Sequence, residues 1–397
     1  MDNSAVKKFN IEQLSGQQEE QLDLINHYIQ SSLKKDGHHI AVIEGDAGTG
    51  KSVVLTKLFQ QLKAGAKKAD SPYYETNSIF TVNHPELLKV YQEMSAELPN
   101  LRKKDYIRPT SLINSAHKND EKYDVVLIDE GHLLLSKPEP YVKFTQQNQL
   151  AEIIKLAKVV VVVFDFKQVM QTKMYWDRKL LKKVLAPYDY QVFNFNFQYR
   201  MNASQAVMDW VNELSEGKLV PVPKDLGHYD LRIFNRAADI FAVIKEKNKE
   251  VGLSRMVATT GFEKGDDGRH HVMLDDFDQP WDELDPQPTP WAERPESINE
   301  VGSIYTIQGF DLNYVGVLLG PPFEYDAEHD RMTVNPSKVT HTEIYKRRPG
   351  LTDPKEIAEV KRTVMFNALN ILLKRGTRGL YITAADPALR KRLLKLQ

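Results

Sequence analysis

Cysteine is absent from the 397 residues, so disulfides, thiolate metal sites and cysteine nucleophiles are all excluded. That absence fits a reducing compartment. A long hydrophobic run is missing too: the greasiest stretch, VVVVVF at residues 159–164, is far too short to cross a bilayer. The N-terminal MDNSAVKKFNIEQLSG has no apolar core of a signal peptide. A cytoplasmic chain with no membrane partner is expected. Nor does charge of either sign dominate. There are 53 Lys and Arg against 54 Asp and Glu, a formal net charge of −1. That balance argues against a wholly basic nucleic-acid binder and leaves room for a local positive groove.

What is present reads as α/β. The length suggests roughly two to three domains. Short apolar runs alternate with helical patterns, as a parallel sheet covered by helices requires. HIAVIE (39–44), IFTV (79–82), VVLI (125–128) and VVVVVF (159–164) make one set, each ending in a polar residue where a ligand-binding edge would lie. A second set is expected to begin near Tyr190 and to include LRIF (231–234), MVA (256–258), YVGVLL (314–319) and LYI (380–382), with helices near 203–214 and 357–373. The expectation is two similar halves, residues 1–188 and 189–397. Residues 261–297 stand apart, with eleven Asp or Glu, three Lys or Arg and five prolines. They read as a small acidic insertion or lid in the second half, whose Trp281 and Trp291 are better explained by packing than by base stacking, since acid repels a phosphate backbone.

The run GDAGTGKS at 45–52 follows the first strand and satisfies GxxxxGK[ST] in full. Glycines at 45, 48 and 50 let the backbone N–H groups turn inward, and the next helix adds its positive end. ATP phosphates belong in such a cradle, lined by Gly45, Asp46, Ala47, Gly48, Thr49, Gly50, Lys51 and Ser52. Lys51 would reach the β- and γ-phosphates, and the Ser52 hydroxyl would complete the shell of a Mg2+ ion. The second signal is DEGH at 129–132, at the end of another strand. Asp129 would hold the Mg2+, and Glu130 would accept a proton from the attacking water. The pair implies hydrolysis rather than transfer to a substrate hydroxyl.

The order GDAGTGKS, DEGH, FDFKQ, FQYR, TIQGFD and KRGTRG resembles motifs I to VI of superfamily 1 helicases. It is most similar to the Schlafen group 3-like DNA/RNA helicase domain family, a group of unassigned function in bacteria. The resemblance spans residues 14–394 and implies two RecA-like P-loop NTPase domains with parallel sheets. By that resemblance, Gln18 in LSGQQ would read the adenine edge and Gln168 in FDFKQ would sense the γ-phosphate. Arg200 in FQYR and Arg375 in KRG would be arginine fingers from the second domain. Gln308, Gly309 and Asp311 in TIQGFD would lie by the nucleotide. The family has a glycine where Phe164 stands, and threonine where Lys374 stands. Asn83-His84-Pro85, which resembles motif Ia, and Thr110-Ser111 are candidate nucleic-acid contacts, and His132 would sit between nucleotide and FDFKQ.

The resemblance implies an ATP-dependent DNA or RNA helicase or translocase, with ATP and Mg2+ as cofactors and single-stranded DNA or RNA as partner. The alternative is a nucleic-acid-sensing ATPase switch that unwinds nothing and signals to a protein partner, phage defence being one setting for it.

Overall fold

The computed structural model describes residues 13–46, 48–169, 176–195, 201–283, 291–307, 311–340, 345 and 352–397. The chain forms two compact units, whose main division falls between Gln198 and Tyr199.

The first unit is built on β1 (His39–Gly45), β2 (Ser78–Val82), β3 (Tyr106–Ile107), β4 (Tyr123–Asp129), β5 (Ala157–Phe164) and β6 (Asp189–Phe195). All pair in parallel, in the order β3-β2-β4-β5-β1-β6. The helices are α1 (Gly16–Ser32), α2 (Lys51–Gly65), α3 (Pro85–Met94), α4 (Pro109–Asn119), α5 (Gln149–Leu156) and α6 (Arg178–Leu185). Alternation along the strands sorts the helices into two layers. Val159, Val161 and Val163 share a core with α1, α2 and α3. Val160, Val162 and Phe164 share another with α4, α5 and α6. Both faces are covered, which is why β5 is apolar without a break from Val159 to Phe164.

β6 corrects the expected boundary. It lies beside β1 in register from His39 opposite Asp189 to Gly45 opposite Phe195, so residues 189–195 complete the first sheet instead of opening the second. The strand is an edge: Phe193 and Phe195 are buried and most of its other side chains are exposed. Phe193 meets Tyr28 of α1 edge-on at 5.9 Å. Such a half-buried strand after a helix reads equally well as the start of a new sheet, and only the pairing partner decides.

The second unit contains α7 (Gln205–Ser215), β7 (Asp230–Ile233), α8 (Ala237–Val251), β8 (Arg255–Ala258), β9 (His271–Leu274), β10 (Phe277–Pro280), β11 (Leu312–Leu319), β12 (Phe323–Asp326), β13 (Arg331–Val334), α9 (Pro354–Leu373), β14 (Gly376–Ala384) and α10 (Pro387–Leu394). Its parallel sheet runs β7-β14-β11-β8, and β9-β10 and β12-β13 are antiparallel hairpins. One sheet face packs on α7, α9 and α10, the other on α8 and the β9-β10 hairpin.

The described part of the acidic segment is packed into this unit. Trp281 and Trp291 are buried, the first edge-on to Phe262 at 5.5 Å, the second donating its indole N–H to Glu300 at 2.7 Å. Arg255 of β8 is buried and donates to Ser297 Oγ at 2.8 Å, Asn248 Oδ1 at 2.6 Å and the Arg294 carbonyl at 3.1 Å. Burial lowers its pKa to about 10, so it stays cationic at neutral pH. Beside Trp281, burial raises the Asp282 carboxyl to about 6.

Candidate nucleotide site

The site grows out of the C-terminal ends of β1, β4 and β5, with β5 lying between the other two. Such ends are where open parallel sheets present ligand sites. At the end of β1 no side chain fits on Gly45: a Cβ there would lie 2.6 Å from the Phe195 carbonyl and 2.9 Å from Thr49 Oγ1. Gly48 and Gly50 adopt φ of +83° and +79°, the left-handed region that glycine enters without penalty. Gly50 is the N-cap of α2, so the loop turns directly into the helix. Thr49 Oγ1 donates to the Asp46 carbonyl at 2.8 Å.

Lys51, the first residue of α2, is only 7% exposed. Its ammonium donates to the carbonyls of Gly45 (2.7 Å) and Asp46 (2.6 Å) and lies 3.6 Å from Asp165 Oδ2. Asp165 follows β5 and caps a single turn of 3-10 helix, Phe166–Gln168. Its Oδ1 accepts from the Lys167 N–H at 3.0 Å and its Oδ2 from Gln168 Nε2 at 2.6 Å. Lys167 Nζ returns to Asp46 Oδ2 at 3.3 Å. Two ion pairs, Lys51 with Asp165 and Lys167 with Asp46, thus tie the glycine loop to the turn after β5.

At the end of β4, Asp129 is fully buried. Its Oδ1 accepts from the Glu130 N–H at 2.9 Å and its Oδ2 from the Tyr91 hydroxyl at 2.5 Å. Burial next to Asp129 raises the Tyr91 pKa well above its ordinary value. Glu130 adopts φ +51° and its Oε2 lies 3.3 Å from His132 Nε2. Burial lowers the His132 pKa to about 4, with Lys51 and His84 pushing the same way and Asp165 opposing. His132 is therefore neutral at pH 7, an uncharged imidazole beside the glutamate. Behind the turn, Phe164 stacks on Phe166 at 5.4 Å and meets Trp176 edge-on at 5.3 Å. The Trp176 indole N–H donates to the Leu134 carbonyl at 2.7 Å.

Ten of the expected residues, Gly45, Asp46, Gly48, Thr49, Gly50, Lys51, Ser52, Asp129, Glu130 and Gln168, belong to these strand ends or their adjoining turns. Gln18 is engaged locally, its Oε1 accepting from the Ser15 N–H at 2.9 Å while Ser15 Oγ accepts from the Gln18 N–H at 3.3 Å. The two form a reciprocal cap on α1. Asp311 and Arg375 belong to the second unit, Asp311 half-buried just before β11 and Arg375 buried at the end of α9. Ala47, Arg200, Gln308 and Gly309 lie outside the described residues. The candidate strand contacts are partly occupied within the protein. Asn83 Nδ2 donates to the Leu133 carbonyl at 2.7 Å, His84 Nδ1 caps α3 by accepting from the Leu87 N–H at 3.1 Å, and Thr110 Oγ1 accepts from Gln149 Nε2 at 2.9 Å.

Sequence reasoning missed Asp165 and Tyr91. The first had a signal, an acid directly after the most apolar strand of the chain. Tyr91 had none, since only the pairing of β2 with β4 brings α3 beside Asp129.

A glycine loop that opens a helix, beside a buried acid on the next strand but one of a parallel sheet, defines a P-loop nucleotide-binding fold of the RecA-like type. The chain belongs to the Schlafen group 3 DNA/RNA helicase domain family, whose profile matches residues 38–386. It is 37% identical over 426 aligned positions to the uncharacterized protein YPL245W of Saccharomyces cerevisiae, covering 98% of this chain and 92% of that one. Among solved structures it is similar to the Pif1 helicase from Candida albicans, at 12% identity, 93% and 94% coverage of the two chains and a TM-score of 0.37. It is also similar to the Aeropyrum pernix ORC1 protein in complex with DNA, at 12% identity, 62% and 58% coverage and a TM-score of 0.30. Among the described residues no helix is long and apolar enough to cross a membrane.

Proposed function

We propose that this protein is an ATP hydrolase that couples turnover to single-stranded DNA or RNA, as a helicase or translocase. The observation that carries the chemistry is the convergence of Lys51 after β1, Asp165 and Gln168 after β5, and Asp129 and Glu130 at the end of β4. Family membership carries the nucleic-acid part.

In this reading the ammonium of Lys51 exchanges its loop carbonyls for the β- and γ-phosphate oxygens. Ser52 and Asp129 supply hard oxygen donors suited to Mg2+. Among the described residues no cluster of three or more His, Cys, Asp or Glu could cage a metal, so these two oxygens would share the ion with the phosphates, the usual arrangement for magnesium. The ion would neutralise charge that develops on the phosphates. Glu130 takes a proton from the attacking water, with the neutral His132 imidazole beside its carboxylate. Gln168, held by Asp165, faces the γ-phosphate end of the same loop. Arg200 and Arg375 act from the second unit and complete the site only when ATP is bound.

A yeast relative gives the phage-defence reading no support. The deciding measurement is the ATPase rate with and without single-stranded DNA or RNA, followed by a strand-displacement assay on a partial duplex. Turnover that ignores every nucleic acid removes the helicase reading, and stimulated turnover without displacement reduces it to a translocase or switch.

A further inference from the structure

Asp129 is a fully buried carboxylate with no lysine or arginine partner among the described residues. Buried charges are tolerated when they are paired, hydrogen-bonded or bound to metal. Here both oxygens have a hydrogen-bond donor, the Glu130 N–H and the Tyr91 hydroxyl, yet neither donor cancels the charge. A neutral phenol orients the carboxylate and leaves its full negative charge for a cation, whereas a lysine in that place would compete with one.

Tyr91 has little freedom. It is fully buried on α3, stacked nearly parallel on Tyr106 at 5.6 Å and tilted against Phe80 at 4.7 Å. Phe59 of α2 closes the same cluster, 5.5 Å from Phe80. The ring is fixed by packing, so the hydroxyl is fixed too. It donates to Asp129 at the end of β4, 38 positions further along the chain, so a residue on α3 orients the carboxylate.

We propose that Tyr91 is a positioning residue for the divalent cation that Ser52 and Asp129 would hold, its hydroxyl setting the orientation of the Asp129 carboxylate. The inference rests on the assignment of those two residues as magnesium ligands. A carboxylate oxygen has two lone pairs, so Oδ2 keeps Tyr91 while facing the ion or its water. Outer-shell partners of this kind are typically worth about tenfold or more in metal affinity.

The test uses the full chain, a non-hydrolysable ATP analogue at saturation and Mn2+ as a paramagnetic probe followed by EPR. Tyr91→Phe keeps the ring and its packing and removes only the hydroxyl. Mn2+ affinity of its nucleotide complex should fall about tenfold, while nucleotide affinity in EDTA stays within about twofold of wild type. Ser52→Ala and Asp129→Asn should also weaken Mn2+ binding. In the double variant Tyr91→Phe/Asp129→Asn, binding should be no weaker than with Asp129→Asn alone, a non-additivity that two independent folding defects would not produce. Wild-type Mn2+ affinity in Tyr91→Phe, or full additivity in the double variant, overturns the positioning role even though the metal ligands stand. If Ser52→Ala and Asp129→Asn both bind Mn2+ normally, the ligand assignment itself is wrong and the inference falls with it.

Discussion

The ammonium of Lys51 lies 3.6 Å from the carboxylate of Asp165, and both side chains are almost wholly buried. The lysine of the phosphate loop is thus counterbalanced by an acid from a different strand, the same acid that holds Gln168. Two consequences can be separated. Lys51→Ala should abolish ATP turnover and weaken ATP binding, because it removes the charge that faces the β- and γ-phosphates. It should also cost stability, about 3 kcal/mol, since it leaves Asp165 charged and buried without its cation. Lys51→Ala/Asp165→Asn should recover much of that stability and none of the turnover. Denaturant melts and ATPase rates on wild type and the two variants decide it, and near-normal hydrolysis by Lys51→Ala would sink the site assignment.

Glu130→Gln keeps the shape but removes the proton acceptor. Turnover should fall by about a hundredfold or more, with ATP binding retained, so that the variant holds unhydrolysed ATP through a gel filtration run. Failure to bind nucleotide at all would make Glu130 a structural residue or a metal ligand.

Arg200 and Arg375 should act on the transition state and not on the ground state. Changing either to alanine should lower strand-stimulated kcat at least about tenfold with little change in ATP affinity. The two losses should be less than additive if each disables one closed state. Full stimulated turnover in both single variants would mean that the first unit handles ATP alone.

His132 gives the protein an acid-sensitive core. Its pKa is about 4 in the folded chain against an ordinary value of 6.5, so below pH 6.5 the unfolded chain takes up a proton that the folded chain refuses. Stability is therefore lost as pH falls from about 6.5 towards 4, by about 1 kcal/mol at pH 5.5. Asp282, with its pKa raised to about 6, works in the opposite direction as it protonates, but it does so equally in any His132 variant. The difference in unfolding free energy between wild type and His132→Asn should therefore shift in favour of the variant between pH 7 and 5.5. A constant difference across that interval would contradict burial of a neutral histidine.

Local chemistry was legible in the sequence, and distant pairing was not. GDAGTGKS and DEGH each carry their own geometry, because the glycines set the turn and an acid at a strand end has few other uses. The apolar runs located β2, β4, β5, β8 and β11 for the same reason: a strand buried on both faces has no room for polar residues. β6 was assigned to the wrong sheet because a half-buried edge strand looks the same whichever neighbour it joins. The β12-β13 hairpin was not foreseen, as its alternation is too short to stand out. Gln18 illustrates a different ambiguity, since a glutamine three residues after a serine at a helix start serves as a cap as readily as a ligand. Tyr91 lay beyond reach because what makes it relevant is the order of strands, not anything near it in the chain.

The packing of Trp176 against Phe164 has a practical side. The chain's four tryptophans are at 176, 210, 281 and 291, and only the first falls within residues 1–198. Its indole lies edge-on to the ring immediately preceding Asp165 and is hydrogen-bonded to the segment that follows β4. With Trp210, Trp281 and Trp291 replaced by phenylalanine, emission from this one ring becomes an optical readout of the turn that carries Gln168, free of any attached dye. Since there is no native thiol to remove, a single engineered cysteine at an exposed site in the second unit would supply the acceptor, and rearrangement between the halves could be timed in a stopped-flow instrument as ATP is mixed in.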